Sequence, residues 1–215
     1  MSREVIGARP ILCLVTDRAS ARGSLPEIAA AAVRGGCDWI QVREKDLDGA
    51  PLLELVREIQ RSVRGANPSA RVIVNRRIDV ALAASADGAH LGFDALPIAE
   101  ARVLLGKAAL LGVSAHSAEE VLAAARGGAS YAHLAPIFAP YSKAPARAPI
   151  GLDALAEAAR SEIPLFAQGG IDALRAAACV RAGAAGVAVT GELCAAPDPE
   201  GAARALRAAL DGAAR

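Results

Sequence analysis

Residues 34–45 read Arg-Gly-Gly-Cys-Asp-Trp-Ile-Gln-Val-Arg-Glu-Lys, and this stretch indicates the fold of the whole chain. A helical pattern ends here at Arg and two Gly, and the short apolar run that follows ends in charged residues. Gly suits the left-handed position after a helix, and a cation in the last turn complements the helix dipole. In a parallel α/β fold, the carboxyl end of such a strand lies where ligands bind. Arg43 and Lys45 favour an anionic ligand such as phosphate, although such charges can also serve only to solvate a loop.

The same junction of helix end and strand recurs along the 215 residues, at 126–128 and 181–183. Short apolar runs with turn signals alternate with helical patterns, which predicts βαβ units and a parallel sheet. The expected strands are 11–16, 39–43, 71–75, 88–91, 109–114, 131–137, 164–167 and 186–190. The expected helices are 25–34, 50–64, 78–84, 97–105, 118–126, 152–160, 173–181 and 200–210.

The number of strands favours a single α/β domain over residues 1–215, a (β/α)8 TIM barrel with short loops. The alternative is a doubly wound open sheet, which would be expected to use about five or six strands. The one long irregular stretch, 138–151, contains Pro140, Pro145 and Pro149. Because it follows the sixth strand at the ligand face, we expect an active-site lid there.

Composition excludes several other classes of protein. The formal net charge of +1 gives no global field that would attract nucleic acid or a membrane. No apolar run reaches the ~18 residues of a spanning helix, and the N-terminus lacks a signal-peptide pattern. The four Cys show neither CxxC pairing nor metal-ligand spacing, so we expect Cys13 and Cys179 to be small core residues. A cytoplasmic protein fits this composition.

Polar residues follow the predicted strands, at the ends that converge in a barrel. The strand interiors are Val, Ile, Leu and Ala, so the recurrence of polar ends favours a true site. The candidates are Thr16, Asp17, Gln41, Arg43, Lys45, Asn75, Arg76, Gly92, Phe93, Asp94, Ser114, His116, the 136–143 loop, Gln168, Gly169, Gly170, Thr190 and Gly191.

Two pairs of residues predict a phosphate site after strands seven and eight. They are Gly169-Gly170 and Thr190-Gly191. Glycines let the backbone come close to a ligand and expose its N–H groups, and barrels of this kind bind phosphate at these two strand ends.

The three histidines differ in their expected roles. His90 and His133 lie within strands, where we expect buried structural side chains. His116 follows the fifth strand and either contacts a ligand or only packs at the loop. Ser117 and Glu120 form a capping box for the next helix, which is a structural role. No Ser/His/Asp or Cys/His triad is evident.

Taken together, these segments resemble the thiamine phosphate synthase family and its relative, the thiazole tautomerase TenI. The resemblance runs through nearly the whole chain. Gln41-Val42-Arg43-Glu44-Lys45 resembles the family pattern Q-[LV]-R-E-K. The other motifs that match in order are Ile73-Val74-Asn75, 79–81, 86–92, 112–117, Pro136-Ile137-Phe138, Gly169-Gly170-Ile171, 182–184 and Ala188-Val189.

The resemblance implies a reaction and a set of roles. The synthase joins 4-amino-5-hydroxymethyl-2-methylpyrimidine diphosphate to a thiazole phosphate and releases pyrophosphate through a pyrimidine carbocation. Substrate contacts would also come from Gln41 and Ser142. The resemblance assigns Arg43, Lys45, Asn75, Ser114 and Lys143 to the diphosphate and pyrimidine, and His116 is a further catalytic candidate. It assigns Gly169, Gly170, Thr190 and Gly191 to the thiazole phosphate.

The chain departs from the family pattern at the two aspartates that bind Mg²⁺. Arg76 and Ala95 stand at those positions, so no metal ligand is predicted, with Asp94 a weak candidate. Mg²⁺ prefers carboxylate oxygens, and an Arg repels it at close range. The change favours loss of ordinary Mg²⁺-dependent synthase activity over two alternatives, Arg76 as the counter-charge or Asp94 as a ligand. Mg²⁺ is implied only if synthase activity is retained. The Thr-x-Thr-Lys lid motif becomes 140–143, where Lys143 is kept and Ser142 retains a hydroxyl.

Several functions therefore stay open. The chain is a divergent synthase, a TenI-like isomerase, a non-catalytic paralogue that binds thiamine phosphate or its thiazole precursor, or a phosphate-binding barrel for another substrate. The tautomerase branch uses a His where this chain has Pro136, so His116 or His133 would have to substitute. The expected partners are small phosphorylated molecules, with a second copy of the chain as a further candidate, and neither nucleic acid nor a membrane is expected.

Overall fold

The computed structural model describes residues 9–93, 95–139 and 147–214. Within them, eight parallel strands close into a barrel in which each strand pairs with the next and β8 pairs with β1. The strands are β1 Ile11–Val15, β2 Trp39–Val42, β3 Arg71–Asn75, β4 Gly88–Leu91, β5 Leu110–Ala115, β6 Tyr131–Leu134, β7 Leu165–Gln168 and β8 Gly186–Val189. The closed order confirms the predicted TIM barrel and is incompatible with an open doubly wound sheet.

Helices follow every strand and cover the outside of the barrel. They are α1 Leu25–Arg34, α2 Gly49–Ala66, α3 Ile78–Ala83, α4 Ile98–Leu105, α5 Ala118–Arg126, α6 Gly151–Ala158, α7 Ala173–Arg181, α8 Gly191–Cys194 and α9 Pro199–Ala213. The sequence did not predict the four-residue helix α8. None of the helices in the described part of the chain is both long and apolar enough to cross a membrane.

Some element ends differ from the sequence-based expectation. Strand β6 ends at Leu134 rather than 137, because Pro136 has no N–H to donate and the Ile137 amide bonds Gln168 O at 2.9 Å instead. Pro97 is the N-cap of α4 and not its first helical residue. The helix ends at Gly are confirmed: Gly36, after α1, has a φ of +103°.

Aromatic side chains fill the barrel interior at its amino end. The rings of Trp39, Tyr131 and Phe166 are buried, with centroids 5.1–5.2 Å apart. Gly112 on β5 leaves room for the Tyr131 ring, and Gly88 on β4 lets β4 approach β5 closely. A Cβ on Gly112 would lie 2.2 Å from Tyr131 Cζ, and one on Gly88 would lie 2.0 Å from the Leu110 carbonyl oxygen. The interior is therefore a packed core that leaves only its carboxyl end for a ligand.

A second apolar layer lies between the barrel and the helices. It is built from the outward-facing strand residues and the buried faces of the helices, such as Val56 and Ile59 of α2 and Leu206 and Leu210 of α9. All four cysteines are free and buried, which confirms Cys13 and Cys179 as core residues. Burial raises the pKa of the Cys37 thiol to about 12 and that of Cys194 to about 11.

Candidate active site

The charged end of β2 presents its side chains in alternation. Gln41 is 2% exposed, and its Oε1 accepts a hydrogen bond of 2.9 Å from Asn75 Nδ2 on β3. Arg43 is half-buried and Lys45 is exposed. The structure therefore brings Gln41, Arg43 and Asn75 together at the carboxyl end of the barrel, and Lys45 lies at its rim.

Glu44, in the middle of the same motif, is buried and joins two strand ends. Its carboxylate accepts hydrogen bonds from Thr16 Oγ1 at 2.5 Å and from the Arg18 amide at 3.0 Å. Thr16 Oγ1 in turn accepts a bond of 2.9 Å from the Arg43 amide. Glu44 is thus a structural clamp that fixes the backbone of Arg43. Sequence analysis assigned it no role, because its partner Thr16 lies 28 residues earlier in the chain.

We expect Thr16→Val to lower the unfolding free energy by about 1–3 kcal/mol, since buried polar groups then lose their partner. The hydroxyl of Thr16 is the group that links Glu44 to the Arg43 amide. Thr16→Ser keeps the hydroxyl and should cost distinctly less. Urea unfolding followed by circular dichroism measures both variants, and an equal loss for Ser and Val would contradict the clamp.

A layer of polar side chains forms the floor of the site above the aromatic core. His90 Nδ1 shares a hydrogen bond with Tyr131 OH at 3.2 Å, and its Nε2 shares one with Ser114 Oγ at 3.0 Å. The His133 ring lies 4.5 Å from that of His90. Both histidines are 1% exposed, which confirms that they are buried. The hydrogen bond from His90 therefore fixes the hydroxyl of Ser114 in this polar floor.

Burial, together with the neighbouring His133 and the charge of Arg43, lowers the pKa of His90 well below its ordinary value of 6.5. Burial also lowers the pKa of His133 to about 4. Both imidazoles are therefore neutral near pH 7. Because His133 Nδ1 donates to Gln168 Oε1 at 3.1 Å, its Nε2 carries a lone pair.

Two buried polar atoms in this floor have no hydrogen-bond partner among the residues that the structure describes. They are Gln41 Nε2, a donor, and His133 Nε2, an acceptor. Buried polar atoms are normally paired, by protein, water or ligand. The floor is therefore suited to a ligand that offers both an acceptor and a donor.

Stability should fall as the solution is acidified from pH 7 to pH 5. The unfolded chain takes up protons at its histidines near pH 6.5, whereas folded His133 stays neutral until about pH 4. The unfolded state then binds more protons, so His133 alone should lower the unfolding free energy by about 2 kcal/mol. Urea unfolding at both pH values measures this loss. His133→Gln should show a shallower pH dependence, and identical dependence in both proteins would contradict the assignment.

His116 lies at the edge of the mouth and not in the polar floor. Its ring stacks on Phe93 with centroids 4.3 Å apart, and Arg147 Cζ lies 5.3 Å from the Phe93 ring. Its Nδ1 donates to the Ala135 carbonyl. The predicted capping box is present in a shifted form: Ser117 Oγ accepts from the Glu120 amide, while Glu120 Oε2 accepts from the His116 amide.

The glycine pair after β7 forms the opposite side of the mouth. Gly170 has a φ of +60°, and a Cβ there would lie 2.4 Å from the Ala139 carbonyl oxygen, so only Gly fits. Arg175 Nη1 donates to the Gly170 carbonyl at 2.8 Å and places a cation beside this loop, a contact that sequence analysis did not find. Thr190 and Gly191 follow the neighbouring strand β8. The predicted phosphate-binding residues thus lie directly after two adjacent strands, β7 and β8.

The positions implied for Mg²⁺ do not fit the ion. Arg76 follows β3 with an uncommon φ of +64°, and Ala95 offers no ligand atom. Across the described ranges, no three His, Cys, Asp or Glu side chains come together as a metal site. Asp94, Ser142 and Lys143 lie outside the described residues, so their predicted roles stay predictions.

Fold and mouth together define a (β/α)8 barrel whose polar and cationic groups lie at the carboxyl ends of the strands. The family model described as thiamine monophosphate synthase matches residues 12–193. The chain belongs to the thiamine monophosphate synthase family.

Individual relatives agree with this membership. The chain is 44% identical over 200 residues to the thiamine-phosphate synthase of Roseiflexus castenholzii, covering 92% of this chain and 87% of that protein. It is 46% identical over 199 residues to the thiamine-phosphate synthase of Chloroflexus aurantiacus, covering 92% and 91%. The solved thiamine phosphate pyrophosphorylase of Pyrococcus furiosus superimposes with a TM-score of 0.84 at 30% identity, covering 94% and 96%. These relatives support a role in thiamine biosynthesis.

Proposed function

We propose that the protein is a thiamine-phosphate synthase. It would join 4-amino-5-hydroxymethyl-2-methylpyrimidine diphosphate to a thiazole phosphate. The observation that carries this proposal is the polar floor. There, among the described residues, the donor Gln41 Nε2 has no acceptor and the acceptor His133 Nε2 has no donor. An aminopyrimidine offers both, through its ring nitrogens and its exocyclic amine. The identities of 44% and 46% to proteins named thiamine-phosphate synthase support the same reaction.

The proposed chemistry is a dissociative substitution at the methylene carbon of the pyrimidine. The C–O bond breaks and its electron pair leaves with pyrophosphate, and the thiazole nitrogen lone pair then forms the new C–N bond. Charge develops on the leaving diphosphate, so the cations of Arg43 and Lys45 would stabilise the transition state more than the ground state. Lys143 is proposed to add a further cation.

The other site residues would orient the two substrates. Asn75 holds the Gln41 amide at 2.9 Å, which leaves Gln41 Nε2 to donate to the pyrimidine. Ser114 is held by His90 at 3.0 Å. Gly169, Gly170, Thr190 and Gly191 would receive the thiazole phosphate, and Ser142 would contact substrate.

A turnover assay tests this function. Purified protein is incubated with both substrates, in separate arms with MgCl₂ and with EDTA, and thiamine phosphate and pyrophosphate are measured. We expect turnover within a few decades of ~1 s⁻¹. Gln41→Leu should lose most of it, whereas Gln60→Leu, which alters a glutamine of α2, should retain it if the protein folds. Absence of product in every arm would contradict the proposal.

Isomerisation of a thiazole phosphate, as in TenI, is the second candidate. One observation favours it: the imidazole of His116 contacts the carbonyl of Ala135, directly before Pro136, where that branch has its His. The His116 side chain therefore lies next to the position where the branch needs an acid or base. Three results together would support this candidate over the synthase. The protein converts the thiazole tautomer, His116→Gln loses this conversion, and no thiamine phosphate forms.

A further inference from the structure

Three hydrogen-bonded side chains lead from the aromatic core into the polar floor. Tyr131 lies on β6, His90 on β4 and Ser114 on β5. Tyr131 OH lies 3.2 Å from His90 Nδ1, and His90 Nε2 lies 3.0 Å from Ser114 Oγ. Tyr131 and His90 are buried, whereas Ser114 is half-buried. The series therefore begins in the barrel interior and ends at a hydroxyl of the candidate site.

The direction of these hydrogen bonds follows from the buried end of the series. A buried hydroxyl proton without an acceptor costs free energy, and His90 Nδ1 is the sole hydrogen-bond partner of Tyr131 OH among the described residues. Tyr131 therefore donates to His90 Nδ1. Because the neutral ring carries one proton, that proton lies on Nε2 and is donated to Ser114 Oγ. The opposite tautomer would leave the Tyr131 proton without an acceptor.

We propose that Tyr131 is a positioning residue, which acts through His90 to keep the Ser114 hydroxyl as a hydrogen-bond donor to the substrate. Since Ser114 Oγ already accepts from His90, its own proton remains available for an acceptor on the ligand. The inference rests on the proposed synthase function, in which the ring nitrogens of the pyrimidine are such acceptors. It extends that function by giving a buried tyrosine a part in substrate recognition.

The neighbouring His133 has the opposite polarity. Its Nδ1 donates to Gln168 Oε1 at 3.1 Å, so its Nε2 is a hydrogen-bond acceptor. The two imidazole rings lie 4.5 Å apart. Adjacent neutral histidines in opposite tautomers thus give the polar floor a donor at Ser114 and an acceptor at His133, which matches the ring nitrogens and exocyclic amine of an aminopyrimidine.

Nitrogen NMR of isotope-labelled histidine rings tests the direction of the hydrogen bonds. A protonated ring nitrogen and a bare one have well-separated shifts, and the chain has three histidines to assign. In ligand-free wild type at pH 7 we expect His90 to be protonated on Nε2 and His133 on Nδ1. The variants His116→Gln and His133→Gln each remove one set of signals and so assign the spectrum. A wild-type His90 that is protonated on Nδ1 would overturn the proposal.

Tyr131→Phe removes the hydroxyl and keeps the aromatic ring. Both His90 tautomers should then be populated, so the shifts of its two ring nitrogens should approach each other. If the donor arrangement of Ser114 falls to about 0.1–0.5 of the population, the apparent affinity for substrate falls about two- to tenfold. We expect this loss in KM for the pyrimidine diphosphate with kcat nearly unchanged, because the Ser114 bond is present in the ground state and the transition state alike.

Phe166→Leu is the matched control, since its ring lies in the same aromatic core, 5.2 Å from that of Tyr131, and has no hydrogen-bonding group. It should lower stability but leave the His90 tautomer and KM unchanged. Equal changes in the His90 shifts of both variants, or an unchanged KM in Tyr131→Phe, would count against the proposal. Failure of the synthase function is distinguished by the turnover assay, in which wild type then forms no thiamine phosphate, whereas the His90 tautomer is measured without substrate.

Discussion

Arg43→Met should lower kcat/KM for thiamine phosphate formation by about 100- to 1,000-fold, the usual cost of removing a preorganised charge-stabilising group. Arg43 is half-buried, its backbone amide is fixed by Thr16, and its charge is felt by the buried His90. The backbone of Arg43 is therefore fixed before substrate arrives. Since the leaving diphosphate gains charge in the transition state, we expect most of the loss in kcat rather than in KM.

The measurement is steady-state kinetics with the pyrimidine diphosphate as the varied substrate. Arg64→Met removes a surface cation from α2 and should retain wild-type kinetics. Arg43→Lys keeps the charge without the planar donors and should fall between the two. A loss of less than fivefold in Arg43→Met would remove Arg43 from the proposed machinery.

Gly88→Ala should destabilise the protein by about 3 kcal/mol, at the upper end of what overpacking of a core costs. Its Cβ would lie 2.0 Å from the Leu110 carbonyl oxygen and 2.7 Å from Leu110 Cβ. Gly88 pairs with Leu110 in the β4–β5 ladder, so neither backbone can withdraw without breaking the closed sheet.

Gly65→Ala is the matched control. It lies in α2, and nothing is within 4 Å of an added Cβ. The substitution should stabilise the protein by about 0.5–1 kcal/mol, because Ala loses less backbone entropy in a helix. Chemical unfolding followed by circular dichroism compares the two. Similar stabilities for both variants would show that the barrel can yield at this strand pair.

The order of strands and helices could be predicted from the sequence because each unit carries local signals. An apolar run, a polar end and a Gly stop recur, and eight such units have one compact closed arrangement. The positions of Gln41, Arg43, Asn75 and Gly170 at the mouth follow from that closure alone.

Contacts between distant segments could not be predicted in this way. From the sequence, Glu44 is indistinguishable from the other charged residues of its motif. Only the approach of β1 to β2 shows that it is buried against Thr16. The stack of Phe93 on His116 likewise depends on how the loops after β4 and β5 converge. Helix α8 is a single turn, which is too short for a periodic pattern.

The aromatic core of the barrel also has a practical consequence. Trp39 is the single tryptophan of the chain, and it is 3% exposed between Tyr131 and Phe166. Its fluorescence therefore reports on the interior of the barrel without contributions from the surrounding helices. Opening of the strands would hydrate the indole and shift its emission to longer wavelength, so the protein contains its own optical probe of barrel closure.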